Sequence, residues 1–127
     1  MSRDRDTEPQ RKFEIQFFER ILTRWPEFPE VMFRLGNLYT QTGRYQEGAD
    51  VDRRLTDLRP DDPIVHYNLA CSLALLDRLD EAFSSIERAM VLGYLDFHSM
   101  DKDPDLAGMR ADPRYRELCQ RYGPPAA

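Results

Sequence analysis

Cys71 and His66 come closest in this sequence to a nucleophile beside its base. Activating a thiol by an imidazole requires the two side chains to be within hydrogen-bond reach. Five residues along a helix rotate the chain by about 140°, so this pair does not share a face. A small buried thiol and an imidazole between helices fit the spacing better. Asp101, Asp103 and Asp105 suggest a second chemistry, because alternating carboxylates open a calcium loop. That loop then fails: Pro104 interrupts it, Leu106 stands where glycine is needed, and Asp112 stands where a glutamate should chelate. Asp103 and Asp112 each precede a proline, which is the pattern of a helix N-cap followed by the first helical residue. The sequence contains no glycine-rich phosphate loop and no Gly-x-Ser-x-Gly elbow. Two cysteines, Cys71 and Cys119, and two histidines at unrelated spacings make a poor zinc set. The expectation is a protein that is not an enzyme and has no cofactor and no metal.

Composition narrows the class further. The chain has 127 residues, 32% of them charged, with a net charge of −5. That length suits one domain with a modest core. The acidic balance argues against nucleic acid, which needs a clustered basic face. No apolar run approaches the roughly 20 residues that span a membrane. MSRDRDTEPQ at the start is charged and has no apolar signal region, so a cytoplasmic protein with reduced cysteines is expected.

The elements that would carry these residues are helices. Phe13, Phe17, Phe18, Ile21, Leu22 and Trp25 recur at three- and four-residue steps, forming one apolar stripe. Pro26 and Pro29 end that helix and start the next. The second helix is expected over about 30–42, with Gly43 as a left-handed stop. A third is expected over 45–58, a strongly apolar fourth over 64–76 and a fifth over 80–92, closed by Gly93. Tyr115, Leu118, Cys119 and Tyr122 form the last stripe. No period-2 segment bounded by turn signals reads as a strand.

Sliding the chain on itself by 34 residues shows a repeat. Leu35 falls on Leu69, Gly36 on Ala70, Tyr39 on Leu73, Gly43 on Asp77, Tyr45 on Leu79 and Gly48 on Ala82. Large residues meet large ones, small meet small, and the helix breaks coincide. On these residues the sequence resembles the tetratricopeptide repeat family. The matching positions are Leu35, Gly36, Tyr39, Gly43, Tyr45 and Pro60 in the first repeat, and Leu69, Ala70, Leu73, Ala82, Ile86 and Ala89 in the second. FFERILTRWP resembles the second helix of an earlier repeat. MDKDPDLAGMRADPRYREL resembles the atypical closing segment of many bacterial members. There are departures: Met32 and His66 stand where the family prefers tryptophan, Asp52 where a large apolar residue is usual, and Leu55 where a small one is.

The resemblance implies an all-α solenoid of antiparallel helix pairs, with about two and a half to three repeats and capping ends. One domain would cover 11–122, divided into a half-repeat (11–28), two repeats (29–62 and 63–96) and an irregular third unit (97–122). Tails would lie at 1–10 and 123–127. The resemblance also implies a non-catalytic module that binds a protein or peptide in a concave groove. The family's groove positions fall on Phe33, Asn37 and Thr40, then on Ile64, Tyr67, Cys71 and Ala74, with Asn68 beside them. Some members clamp a carboxylate with lysines, asparagines and an arginine. Asn37 and Asn68 match the asparagines, His98 and Lys102 align at later positions, and Phe33 replaces the first lysine, which argues against a clamp. The alternative is self-association to a homo-oligomer through exposed aromatics, Phe13, Phe17 and Trp25, of the N-terminal half-repeat. For most other apolar residues core packing is expected. Gly36 reads as the point where the first helix of a pair lies close against the second.

Overall fold

The structure is a computed structural model that describes residues 7–124. The expected tail residues 1–6 and 125–127 lie outside that range. Among the described residues there are eight α-helices, one 3₁₀ turn and no strand: α1 (Glu8–Arg24), α2 (Pro29–Gln41), α3 (Tyr45–Leu58), α4 (Pro63–Leu75), α5 (Leu79–Val91), α6 (Phe97–Lys102), the 3₁₀ turn Pro104–Leu106, α7 (Ala107–Arg110) and α8 (Pro113–Tyr122). Helix α1 begins at Glu8, so residues 8–10 are helical where a tail was expected. Thr7 is the reason: its Oγ1 accepts from the Gln10 amide at 3.3 Å, and Pro9 lies in the first turn.

Side-chain caps start α4, α6, the 3₁₀ turn and α8. Asp62 accepts from the Ile64 amide at 2.9 Å, Asp96 from Ser99 at 3.1 Å, Asp103 from Asp105 at 3.0 Å and Asp112 from Arg114 at 3.0 Å. The turns within the two helix pairs share one geometry. Gly43 has φ +82°, and Asp77, which the 34-residue shift places on it, has φ +60°. Glycine adopts that left-handed conformation freely, and aspartate is among the few side chains that tolerate it.

Each helix from α1 to α5 packs on the next, and α2 also touches α4. Ile15, Met32, Leu35, Leu38, Tyr39, Val51, Leu55 and Val65 form one core across the first four helices. A second core gathers α4, α5 and the closing unit, where Met100, Leu106 and Met109 are fully buried. Helix α4 is apolar all round because α3, α5 and the 3₁₀ turn all cover it. Three aromatics of the α1 end stay outside both cores. Phe13, Phe17 and Trp25 are 61%, 48% and 55% exposed, since among the described residues no helix lies on that side of α1.

Candidate functional site

The groove positions expected from the sequence divide into two environments. On α4, Tyr67 and Cys71 are covered from within the chain. The Tyr67 hydroxyl donates to Oδ2 of Asp103 at 2.5 Å, and the Cys71 sulfur lies 3.9 Å from the same oxygen. Tyr67 also stacks on Tyr94, with centroids 4.4 Å apart and planes 13° apart. Arg110 holds the covering segment down, donating from Nη1 to the carbonyls of Met100 and Asp103, both at 2.8 Å. Leu106 inserts beside them and is fully buried. The stretch Asp103–Leu106 therefore covers this part of α4. The sequence signal for this cover was the Asp103-Pro104 step with an apolar Leu106 two residues beyond.

The electrostatics of this patch oppose nucleophilic chemistry. Burial first, then the Asp103 charge, raises the Cys71 thiol far above the ordinary thiol range. Tyr67 is raised by burial, with Cys71 and Asp103 adding to it. Asp105 is also raised, by burial and then by Asp103. Cys71, Asp103 and Asp105 bring one ligand atom each within 4.8 Å of one another. Both oxygens of Asp103 are already engaged, one by the Tyr67 hydroxyl and the other by the Asp105 amide. The cluster serves as a helix cap and an inter-helix tie.

On α2 the groove is open. Half-buried Phe33 borders two adjoining clefts. One, of about 280 Å³, is floored by Pro29, Phe33, Leu55 and Val65, with Glu30, Arg34, Arg59 and Asp62 around it. The other, of about 550 Å³, is lined by Gln10, Glu14, Asn37 and Gln41, with Phe33, Arg34 and Leu38. Arg59 pairs with Glu30 at 3.0 Å and Arg34 approaches Glu14 at 3.7 Å, so the charges around the clefts are largely matched. Asn37 is exposed. Thr40 is turned inward instead: its Oγ1 donates to the Gly36 carbonyl at 3.2 Å and lies 3.3 Å from Ser72 Oγ. Ile64 is partly exposed at the start of α4, and Asn68 and Ala74 are half-buried. His98 and Lys102 are exposed on α6.

Sequence reasoning missed Gln10, Glu14, Arg34, Gln41 and Arg59 as lining residues. Gln10 fell within the expected tail. The asparagine-to-glutamine step from Asn37 to Gln41 spans four residues, a same-face spacing that marks both.

The repeat positions form the frame beneath. Leu35, Gly36, Tyr39, Leu69, Ala70, Leu73, Ala82, Ile86 and Ala89 are buried, Tyr45 is half-buried, and Gly43 makes the turn. Residues 16–63, from within α1 to the start of α4, match the family model described as tetratricopeptide repeat. Over those residues the chain is similar to the tetratricopeptide repeat family. A chloroplastic protein of Arabidopsis thaliana is 26% identical over 92 residues, covering 70% of this chain and 28% of that protein. The chain thus matches less than a third of that relative's length. No solved structure gives a significant match. Tetratricopeptide repeats generally mediate protein–protein interactions and are typically non-catalytic. Among the described residues of this chain, no helix is long and apolar enough to cross a membrane.

Proposed function

We propose that the chain is a non-catalytic, cytoplasmic adaptor that holds an extended segment of a partner protein against α1, α2 and the start of α4. The observation that carries this reading is the pair of clefts meeting at Phe33, beside a second-repeat groove already filled by Asp103–Leu106. The apolar floor suits one large side chain of the partner. The amides of Gln10, Asn37 and Gln41 each offer donors and an acceptor, which matches the peptide groups of an extended backbone. Ile64 and Asn68 would border the segment, while Tyr67 and Cys71 lie under the covering stretch and Ala74 lies at the far end of α4. No nucleic acid, membrane or cofactor enters this reading, and residues 11–122 act as one unit. The test is affinity capture with wild type and with Phe33→Ala/Asn37→Ala. Partners recovered by wild type and lost by the double variant support the site. Equal recovery of every partner removes the groove from the account.

A second reading is favoured by a separate observation. Phe13 and Phe17 stack with centroids 6.4 Å apart on the uncovered side of α1, and Trp25 and Phe28 are exposed where α1 ends and α2 begins. Such a patch supports self-association through that end. Light scattering over a range of concentrations decides it: a constant monomer mass counts against assembly, and a mass that falls in Phe17→Glu supports it.

A further inference from the structure

Asp52 carries a carboxyl group in the interior of the molecule. It is 2% exposed, on the inner side of α3, where α2, α3 and α4 meet. Its Oδ2 accepts from Ser72 Oγ of α4 at 2.8 Å, and its Oδ1 presses against Gly36 of α2. Thr40 of α2 and Ser72 of α4 complete the contact across the joint at 3.3 Å. One side-chain carboxyl thus touches all three helices that join the first repeat to the second.

No cation stabilises it among the described residues. Arg53 and Arg54 on α3 turn outward, to Glu81 and to the Pro26 carbonyl. On its inner side α2 presents Gly36 and Thr40, which are uncharged. On α4 the Cys71 thiol, itself held neutral by burial, is the titratable group that senses Asp52. A carboxylate buried with a single hydroxyl donor loses far more hydration than that hydrogen bond returns. Burial accordingly pushes the Asp52 carboxyl up to about 7, and the Ser72 hydrogen bond opposes this only in part.

We propose that Asp52 is a proton-controlled latch between the two repeats, closing α2, α3 and α4 over it when protonated and loosening their joint when ionised. The sign follows from linkage. The folded protein holds this proton to higher pH than the unfolded chain, so the stability contributed by Asp52 falls as pH rises from about 4 to about 7 and levels off beyond. Phe33, Leu55 and Val65 lie on the same three helices, so the latch also braces the apolar cleft. The latch itself stands whether or not that cleft binds a peptide.

The experiment follows the side-chain carboxyl ¹³C signal of Asp52 in the full chain, assigned by its loss in Asp52→Asn. Urea midpoints of both proteins are measured at pH 5 and pH 8. The expected result is a signal that titrates near neutrality. The wild-type midpoint should also drop, relative to that of Asp52→Asn, as pH rises. A signal already ionised at pH 5, or midpoints that move in parallel, overturns the proposal. Should Asp52→Asn fold poorly, the wild-type signal can be assigned by backbone-correlated spectra, and its titration alone decides.

Discussion

A Cβ on Gly36 would stand 2.5 Å from Oδ1 of Asp52, so the hydrogen that glycine carries on α2 leaves the space that the α3 carboxyl fills. The helix tolerates a residue of poor propensity there because any side chain would have to displace a buried group. Gly36→Ala should therefore destabilise the protein by roughly 1–3 kcal/mol, despite alanine's better helix propensity. Gly36→Leu should cost more. Combining Gly36→Ala with Asp52→Ala should recover part of the loss, a coupling of about 0.5–3 kcal/mol in a double-mutant cycle. Urea unfolding measures all three. A stabilised Gly36→Ala would show that the contact is slack.

The closing segment can be tested at Asp103. Asp103→Ala removes the acceptor of the Tyr67 hydroxyl and the cap of the 3₁₀ turn together. An expected loss of about 2–4 kcal/mol follows from one lost cap and one buried hydroxyl left unpaired. Asp101→Ala removes only the partner of Tyr115 at a more exposed site and should cost less. Thermal unfolding should rank the two variants in that order.

The two thiols should differ in reactivity. Burial raises both, but Cys71 is enclosed while Cys119 is only half-buried. Alkylation of the folded protein at pH 8 should label Cys119 well before Cys71, because only the thiolate reacts and it must also be reached. Mass spectrometry of the labelled peptides reads the order, and denaturant should abolish the difference.

Gly43 and Asp77 occupy the same left-handed turn in successive repeats. Gly43→Ala should cost about 1–2 kcal/mol, the ordinary penalty of a β-carbon in that region. Asp77→Gly should be neutral or stabilising by up to about 1 kcal/mol, since it relieves the same strain. Melting temperatures of the two variants should shift in opposite directions, or the second not at all.

The frame of the fold was legible because it is written in spacing. The shift that carries Gly36 to Ala70 and Gly43 to Asp77 is a local pattern, and proline and aspartate mark the helix starts within a residue of where they occur. The site was less legible because its character depends on contacts between distant segments. Tyr67 and Cys71 could be placed on α4 from spacing, yet Asp103 and Leu106, far along the chain, determine what they meet. Asp52 was visible as a polar residue at an apolar position. Its meaning required Gly36 and Ser72, which only packing brings to it. Gln10 was missed because the Thr7 cap extends α1 into a stretch whose composition resembles a tail.

The Asp103-Pro104 break gives the molecule a direction. Beyond α5 the covering stretch splits what would be one straight helix into α6, a 3₁₀ turn and α7, and α8 finishes with polar Arg116, Glu117, Gln120 and Arg121 outward. A helix added after α8 would meet charge, whereas one added before α1 would meet the stacked rings of Phe13 and Phe17. The two faces therefore differ in what they offer a neighbour: charge at α8 and aromatic rings at α1.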